Sequence, residues 1–494
     1  MTLDNIEKDD AGGPYMNEKS IAGFLADHAA LEPVSFHMPG HKGSRIYRKY
    51  GYCDFIENLV DYDITEIPGA DNLFQAEGII EAAAEKYRKL YGVRRSHLLI
   101  NGTSGGLIAA ILASVNKGGR LIMARNCHKS VFNALTLGDI APVYAYPSEI
   151  EEYGISGAVE ADEIKRLLTE NPDAEAVILP SPNYYGICSD IEAISRVVHE
   201  AGKILIVDQA HGAHLKFFGK YCSGIMPPAA EDCGADIVVN STHKTLLSFT
   251  QSAVLNVVSD RVDLLRLEDR LQAVESTSPS YILMASLDIN ADILSAHGRE
   301  ITGSWADAVE HFYKNAPSIK GLKVMTVPGH MDRTKINIDM SSAGLTGAQL
   351  EEMLMGYGIF SELTTGNILM CMTGAGNTLS DTERLLNVLE EISEKQQTAG
   401  RAAGHTASSS YKSSLWSLKR ELRAVPLQKE QVRLEDCAGR VCASSIIPYP
   451  PGIPLICPGE VITKEDVLFV KRLRNAGEKV IGIDREWLVS VGKY

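Results

Sequence analysis

Five short polar clusters in the first half of the chain bring together residue types that could share one chemical task. They contain glycine, hydroxyl, imidazole, carboxylate and amino groups, and each follows a short apolar run. The clusters are residues 101–106 (NGTSGG), 126–130 (NCHKS), 181–186 (SPNYYG), 208–214 (DQAHGAH) and 241–244 (STHK). Ligands of open α/β sheets bind beyond the carboxyl ends of the strands, so these clusters are predicted to converge on one site.

The glycine-rich cluster at 102–106 is a candidate phosphate site. Its glycines allow the main chain to approach a ligand closely, and the free N–H groups of a helix N-terminus favour an anion. An ordinary strand-to-helix turn has a similar composition, so the run alone does not decide between the two. It is not a P-loop, because no Lys-Ser or Lys-Thr pair closes it.

Two charged residues, Lys244 and Asp208, are candidates for the reacting centre. A lysine near a buried site loses hydration, so its pKa falls and its amino group can attack carbonyls. The alternative for Lys244 is an ordinary surface lysine. Asp208 ends an apolar run and needs a partner there, because burying an unpaired carboxylate is unfavourable. A protonated ring nitrogen would be such a partner, and a helix cap is the alternative.

The histidines of these clusters allow less specific interpretations. His128 is either a core histidine or a ring that stacks on an aromatic ligand. His211 and His214 have an HxxH spacing, but without a third ligand we predict no metal site. In combination, a phosphate cradle, a stacking ring, a buried aspartate and a nucleophilic lysine indicate pyridoxal 5'-phosphate (PLP) as the cofactor.

The elements that must position these clusters follow the pattern of an α/β layered domain. Nearly continuous apolar strands are expected when both faces of a parallel sheet are covered. Such strands are predicted at 97–100, 120–124, 176–179, 204–207 and 237–239. Amphipathic helices lie between them: one contains Ile80 and Tyr87 and stops at Gly92, and another begins at Ser189 or Asp190.

The chain is predicted to divide into four parts. Residues 1–290 form an N-terminal arm and the large cofactor-binding domain, and residues 291–395 form a smaller α+β domain. Capping boxes at 346–349 and 380–383 are predicted to open helices of the smaller domain. Residues 396–410 are predicted to be a linker. Residues 411–494 form a C-terminal domain, and its proline-rich stretch at 447–454 is predicted to lack regular secondary structure.

The composition excludes several classes of function. The formal net charge of −15 argues against non-specific binding of nucleic acid, which requires a basic surface. No apolar run reaches the length of a membrane helix, and the first residues do not form a secretory leader. We therefore expect a cytoplasmic protein whose nine cysteines are reduced and which has no membrane or nucleic-acid partner.

The order of the motifs resembles that of the bacterial ornithine/lysine/arginine decarboxylase family, which are fold type I PLP-dependent enzymes. The motifs are 36–43 (FHMPGHKG), 63–69 (DITEIPG), 101–104 (NGTS), 128–130 (HKS), 208–212 (DQAHG), 241–244 (STHK) and 449–454 (YPPGIP). The resemblance extends over nearly the whole chain. It is to the short members, which lack the N-terminal wing domain of the acid-inducible enzymes.

This resemblance implies a role for each cofactor-binding residue. Lys244 would bond covalently to PLP, Asp208 would pair with its ring nitrogen, and His128 would stack on its ring. His211 would lie beside the cofactor. The residues implied to hold the phosphate are Thr103, Ser104, Ser241 and His243.

The resemblance also implies the substrate contacts and the assembly. Glu362 matches the acidic residue that meets the distal cation of the substrate, and a carboxylate suits an ammonium or guanidinium group. Ser278 is a weaker candidate for reaching the phosphate bound by a neighbouring subunit, in at least a homodimer. His243 and Lys244 are both candidates for the proton donor to the substrate.

The implied reaction is decarboxylation of a basic amino acid in polyamine metabolism. Arginine or lysine is favoured and ornithine is an alternative; the amine products would be agmatine, cadaverine and putrescine, respectively. Rival hypotheses are another fold type I enzyme, an aminotransferase or a lyase, and a non-catalytic PLP-fold binding protein. The presence of both Lys244 and Asp208 disfavours the last. One departure from the family pattern is Gln209, where short members usually have glutamate, which puts the local electrostatics in question.

Overall fold

A seven-stranded sheet forms the centre of the molecule. The computed structural model describes residues 20–398, 418–448, 452–475 and 479–493. In spatial order the strands are Arg95–Leu99, Ala253–Val257, Ile237–Asn240, Ile204–Asp208, Ala174–Pro180, Arg120–Ala124 and Ala141–Ala145. All of them run in one direction except Ala253–Val257, which is antiparallel to both neighbours. The predicted α/β fold with a mainly parallel sheet is confirmed.

The central strands are buried on both faces, as their apolar composition requires. Every residue of Ile237–Asn240 and of Ala253–Val257 is buried. The five predicted strands all occur, and their ends differ from the predicted positions by two residues or fewer. The strands Ala141–Ala145 and Ala253–Val257 were not predicted from the sequence.

Helices cover both faces of this sheet and continue into the rest of the chain. Gly92 ends the helix Ile79–Tyr91 in the left-handed conformation (φ 65°), and Asp190 caps the helix Ile191–Glu200. None of the described helices is long and apolar enough to cross a membrane. The α-helices are Ile21–Ala30, Arg45–Lys49, Cys53–Glu57, Ile79–Tyr91, Gly102–Ser114, Lys129–Gly138, Ala161–Glu170, Ile191–Glu200, Leu215–Tyr221, Thr242–Thr245, Leu264–Val274, Tyr281–Asn315, Gly347–Gly356, Leu379–Thr398 and Lys464–Asn475.

A second, antiparallel sheet of four strands lies in the region after the long helix Tyr281–Asn315. Its strands in order are Lys323–Val324, Lys335–Asp339, Ile368–Met372 and Leu363–Thr365. The first strand segment of the described chain, Val34–Ser35, pairs with Ile359–Phe360 and so joins the N-terminal arm to this region. The long helix runs through the predicted division at 290, and the domain boundaries stay predictions.

One of the two predicted capping boxes is present as expected. The Thr346 hydroxyl accepts from the Gln349 main chain, and the Gln349 side chain accepts from Thr346. The other helix begins at Leu379, one residue before the predicted Ser380. There the Asp381 carboxylate accepts from the main-chain N–H of Thr378 at 2.8 Å.

The C-terminal region consists of two antiparallel strand pairs and the helix Lys464–Asn475. The pairs are Lys429–Arg433 with Leu488–Gly492, and Ile447–Pro448 with Val480–Ile481. Part of the proline-rich stretch therefore does form a strand, which corrects the prediction; proline is tolerated on such an edge. Residues 449–451 lie outside the described residues, as does most of the predicted linker. The first residues of that linker, 396–398, are the last residues of the helix Leu379–Thr398.

A buried arginine holds the C-terminal region against the central sheet. The Arg125 guanidinium donates to both carboxylate oxygens of Glu460, at 3.0 and 2.9 Å. It also donates to the carbonyls of Pro454 and Leu455. Both side chains of the ion pair are buried. Because Arg125 directly precedes the cluster at 126–130, the C-terminal segment is fixed beside the site.

Candidate active site

A cavity of about 330 Å³ lies at the carboxyl ends of the parallel strands. Each of the five polar clusters contributes to its lining, so the predicted convergence occurs. The predicted site residues that line it are Thr103, Ser104, His128, Asp208, His211, Ser241, His243 and Lys244. Ser278 and Glu362 do not line the cavity, although Glu362 is hydrogen-bonded to Met38 and Tyr184, which do.

Lys244 lies on the short helix Thr242–Thr245, directly after the strand Ile237–Asn240. Its Nζ is 2.9 Å from Nε2 of His211. Burial lowers the pKa of Lys244 from its ordinary value, although the charges of Asp208 and Glu362 oppose this. Burial therefore makes it easier for this amino group to lose a proton and reach its nucleophilic form.

The motif at 36–43 supports the chain around this lysine. The main-chain N–H of Gly40 donates to the carbonyl of His243 at 2.8 Å. A Cβ atom at Gly40 would lie 2.4 Å from the carbonyl oxygen of Leu246, so only glycine permits this close approach. The motif also contributes Met38 to the cavity lining.

Asp208 is a buried carboxylate at the end of the strand Ile204–Asp208. Its Oδ1 accepts from the main-chain N–H of Ala210 at 3.1 Å. Burial raises the pKa of Asp208, while the charge of Lys244 and the Ala210 hydrogen bond oppose the rise. A carboxylate in this setting is suited to hold a protonated ring nitrogen.

The glycine-rich turn and two hydroxyls form an anion cradle. Gly102 begins the helix Gly102–Ser114 in the left-handed region (φ 67°), where a side chain would be strained. The Thr103 Oγ1 lies 3.2 Å from the Ser241 Oγ, so these two hydroxyls from different strand ends meet. Together with the free N–H groups of the helix N-terminus, they suit a phosphate.

His128 and His243 are uncharged at neutral pH because both rings are buried. Burial lowers the pKa of His128 to about 3 and that of His243 to about 4. The His128 Nδ1 lies 2.9 Å from the Ser130 hydroxyl, which fixes the ring at the start of the helix Lys129–Gly138. The His243 Nδ1 lies 2.8 Å from the carbonyl of Ser252, which requires that this nitrogen donate.

These residues together fit PLP. The cavity offers an anion cradle, a carboxylate for a ring nitrogen, an uncharged histidine ring and a buried amine. Two further buried polar atoms, Asn126 Oδ1 and His211 Nδ1, have no hydrogen-bond partner in the part of the chain that the structure describes. Unpaired buried polar atoms are rare in native proteins, and a polar ligand in the cavity would account for them.

Glu362 is joined to the cavity through two of its lining residues. Its carboxylate accepts from the Tyr184 hydroxyl at 2.6 Å and from the main-chain N–H of Met38 at 2.9 Å. The Tyr184 ring packs on His211 with centroids 4.5 Å apart. Ser278 is exposed in this single chain, so its predicted contact with a neighbouring subunit stays a prediction.

Several residues at the site were not assigned a role by the sequence. Tyr184 belongs to the polar cluster 181–186, so its place near the site could be predicted from the sequence. Its hydrogen bond to Glu362 could not. Ile453 lines the cavity from the C-terminal region. It lies far along the chain from the five clusters, so the sequence does not predict its contact with the site. Lys335 donates to the main-chain carbonyl of His211 from the second sheet, and nothing in the sequence around it signals a buried lysine.

Gln209 points away from the cavity into a buried polar cluster. Its amide donates to the Glu231 carboxylate at 2.8 Å and to Asn240 at 2.9 Å, and its oxygen accepts from the main chain of Ala230. It does not line the cavity. The departure from the family pattern at position 209 therefore acts on the support of the Asp208 loop rather than on a bound ligand directly.

Comparison with known proteins identifies the class and the family. The Orn/Lys/Arg decarboxylase major domain matches residues 21–329, and the C-terminal domain of the same family matches residues 418–487. The arginine decarboxylase of Bacillus subtilis (strain 168) is 32% identical over 472 residues, which cover 93% of this chain and 94% of that protein. The lysine decarboxylase LdcA of Pseudomonas aeruginosa is 24% identical and covers 89% of this chain and 73% of its own length.

Solved structures give the same fold. Lysine decarboxylase A from Pseudomonas aeruginosa superposes with a TM-score of 0.76 at 21% identity, covering 95% of this chain and 80% of that one. The lysine decarboxylase LdcF of Francisella novicida gives a TM-score of 0.75 at 21% identity, covering 96% and 82%. The protein is thus a fold type I enzyme of the amino-acid decarboxylase class. It belongs to the Orn/Lys/Arg decarboxylase family, which confirms the resemblance drawn from its motifs.

Proposed function

We propose that this enzyme binds PLP and decarboxylates arginine or lysine, with ornithine as a weaker alternative. The observation that carries the proposal is the Lys244 amino group, which is buried in the cavity 2.9 Å from His211 and interacts electrostatically with Asp208. A buried amine with a lowered pKa, beside a carboxylate suited to a ring nitrogen, is the combination that PLP chemistry needs. The 32% identity to an arginine decarboxylase and the 24% identity to a lysine decarboxylase support the substrate class.

Each chemical role in the proposal falls on a residue that lines the cavity. Lys244 would bond to the cofactor, Asp208 would hold a proton on its ring nitrogen, and His128 would pack on its ring. The phosphate would be held by Thr103, Ser104, Ser241 and His243. When bound, PLP supplies an electron sink for the carbanion that the loss of CO2 leaves behind.

Lys244 is the better supported of the two candidates for the proton donor. Its amino group is hydrogen-bonded to His211, so a proton can be shared between these two nitrogens. The pKa of His243 near 4 makes that ring uncharged at neutral pH, and its Nδ1 is already bonded to the carbonyl of Ser252. His243 is therefore better suited to hold the phosphate than to deliver a proton.

The charge of Glu362 is the proposed basis for the preference for a basic substrate. The carboxylate lies behind Met38 and Tyr184, which themselves line the cavity. A distal ammonium or guanidinium group would form a charge-assisted hydrogen bond with it. We also propose that the enzyme works in the cytoplasm as at least a homodimer, in which Ser278 reaches the phosphate bound by the neighbouring subunit.

A product assay tests the proposal directly. Purified protein with added PLP is given arginine, lysine and ornithine separately, and CO2 and amine are both quantified. Equal amounts of CO2 and one matching amine are expected. A keto acid instead of CO2 would point to an aminotransferase, and failure to take up PLP would point to a non-catalytic protein.

Two lysine variants show whether the activity depends on the proposed residue. Lys244→Ala should lower turnover by roughly three orders of magnitude or more, because the activated nucleophile is removed. Lys220→Ala, which changes an exposed lysine, should leave turnover unchanged. Full activity in Lys244→Ala would contradict the proposed mechanism.

A further inference from the structure

Beneath the loop that carries His211 lies a cluster of three ionisable side chains with no solvent exposure. They are His214, Asp332 and Lys335. Lysine and aspartate are almost never fully buried unless they are paired. The Lys335 ammonium donates to Asp332 Oδ2 at 2.6 Å, and the other oxygen, Oδ1, lies 3.2 Å from Nε2 of His214. The cluster therefore joins the second sheet to the loop at the central sheet.

Lys335 makes one contact that the ion pair does not require. Its Nζ also donates to the main-chain carbonyl of His211. The imidazole of the same residue is the hydrogen-bond partner of the Lys244 amino group. Two hydrogen bonds thus connect the buried ammonium of Lys335 to the amino group of Lys244 through a single residue.

The electrostatic effect of Lys335 runs in the same direction as burial. Burial is the main cause that lowers the pKa of Lys244, and the positive charge of Lys335 lowers it further. The pKa of His211 falls well below its ordinary value through burial, Lys244 and Lys335, in that order. Burial alone would raise the pKa of Asp332, but His214 and Lys335 hold it well below its ordinary value, so this carboxylate stays ionised.

We propose that Lys335 is a positioning residue that fixes the His211 main chain, directs the amino group of Lys244 at the cavity through the His211 ring, and by its charge favours loss of a proton from that amino group. This rests on the proposed function in so far as Lys244 is taken as the reacting amine. Lys335 is not a catalytic residue, because it does not line the cavity. The charged or titratable groups that act on Lys244 include Asp208, His211, Lys335 and Glu362, and Lys244 in turn acts on His128 and His243.

The experiment measures the reactivity of the Lys244 amino group itself. The full-length chain, freed of PLP, is treated with a limiting amount of an amine-reactive acylating reagent at a series of pH values. Mass spectrometry then gives the labelling rate of each lysine. Only the uncharged amine reacts, so the pH midpoint of labelling reports the apparent pKa of Lys244 without any need for catalysis.

The main variant is the pair Asp332→Asn/Lys335→Met, in which both charges are removed together. Lys335→Met alone leaves Asp332 buried beside His214 without its lysine partner, and such a variant often fails to fold. The neutral pair avoids this problem. Loss of the Lys335 charge should raise the labelling midpoint of Lys244 by about one pH unit, so labelling below that midpoint slows about tenfold.

A single variant separates the two charges. Asp332→Asn keeps Lys335, and Lys335 rather than Asp332 is among the charges that shift the pKa of Lys244, so the labelling midpoint of Lys244 should stay in place. Lys323→Met serves as the matched control, because Lys323 stands on the same sheet but is exposed and paired with Glu152. This control should leave the midpoint unchanged.

Holoenzyme provides a second readout. The pH midpoint of the absorbance change of bound PLP should move upward in the neutral pair and stay in place in Lys323→Met. An unchanged Lys244 midpoint in the folded neutral pair, or equal shifts in the pair and in the control, would overturn the proposal. If the unmodified enzyme took up no PLP, the proposed function would fail, whereas the labelling result would still decide the role of Lys335.

Discussion

Two buried carboxylates beside the loop 208–214 are satisfied in different ways. Asp332 accepts from the ammonium of Lys335 and from the hydroxyl and main-chain N–H of Thr334, and its Oδ1 also faces His214. Glu231 instead accepts from three side-chain amides: Gln209 and Asn240 at 2.8 Å and Asn256 at 2.9 Å. One carboxylate thus has a charged lysine as a donor, whereas the other has only neutral side-chain donors among the described residues, although both lie beside the same loop.

The difference explains the residue at position 209. A glutamate there would place a second carboxylate about where the Gln209 amide now donates to Glu231, and like charges at that distance repel. Gln209 and Glu231 are therefore a matched pair, in which a neutral amide donates to a carboxylate. The corresponding partner of Asp332 is the charged Lys335. At position 209, a departure from the family motif is thus offset by a residue elsewhere in the chain.

Removal of the Asp332 carboxylate is expected to have the largest effect on stability. Asp332→Ala leaves the Lys335 ammonium buried without its counter-charge, and breaking such a pair costs about 3–5 kcal/mol of unfolding free energy. Urea unfolding followed by circular dichroism measures the loss. Asp173→Ala is the control, because that carboxylate is exposed and its pair with Arg120 should contribute about 1 kcal/mol or less. Similar losses in both variants would contradict the assignment of Asp332 to a tightly coupled cluster.

A third buried carboxylate, Glu275, differs from both because its donors among the described residues are main-chain N–H groups alone. Its Oε2 accepts from the main-chain N–H groups of Ile100 and Asn101 at 3.2 and 3.0 Å. Its Oε1 has no hydrogen-bond partner among the described residues. Burial raises the pKa of Glu275 to about 7, even though the two N–H groups oppose the rise.

The raised pKa of Glu275 predicts a pH dependence of stability. The folded pKa lies above the unfolded one, so the contribution is fully present below about pH 4.5 and is lost as the pH rises through about 7. The predicted loss across this window is about 3 kcal/mol. Glu275→Gln should flatten the curve of unfolding free energy against pH there. An unchanged slope in that variant would show that another group is responsible.

The sequence predicted the region built from consecutive strands better than the region built from distant ones. Asp208 and Lys244 each stand directly after a predicted strand, and the carboxyl ends of parallel strands meet by topology, so their proximity followed from the chain order. Lys335 begins a strand of the second sheet and donates to the carbonyl of His211, which lies 124 positions earlier in the chain. The sequence has no periodic signal for such a contact.

Two smaller differences have local causes. The strand Ala253–Val257 is antiparallel and lies next to the strand Ile237–Asn240, outside the regular strand–helix alternation that guided the prediction. Asn256 then meets Glu231 through this sheet, and Gln209 joins them from the next strand end. The role of Gln209 could not be predicted, because its partner is set by strand order in space rather than along the chain.

The matched pair at positions 209 and 231 can be tested by moving the charge. Gln209→Glu should destabilise the protein by about 2 kcal/mol, because a buried donor is lost and two carboxylates face each other. The double variant Gln209→Glu/Glu231→Gln places one carboxylate and one amide in exchanged positions and should recover much of that loss. Thermal unfolding of the four proteins gives the coupling energy. Additive losses in the double variant would show that the two residues are not coupled.

The smallest expected effect concerns Glu362, a half-buried carboxylate. Its two hydrogen-bond donors, Met38 and Tyr184, also line the cavity. Tyr184→Phe removes the hydroxyl that donates to Glu362 at 2.6 Å and leaves the ring on His211 in place. A lost hydrogen bond of about 1 kcal/mol corresponds to roughly a fivefold change, which is expected as a higher KM for the basic amino acid. Tyr185→Phe is the matched control, because its hydroxyl donates to Thr365 and the residue does not line the cavity. If both variants raised KM equally, the effect would be one of general packing rather than of the hydrogen bond to Glu362.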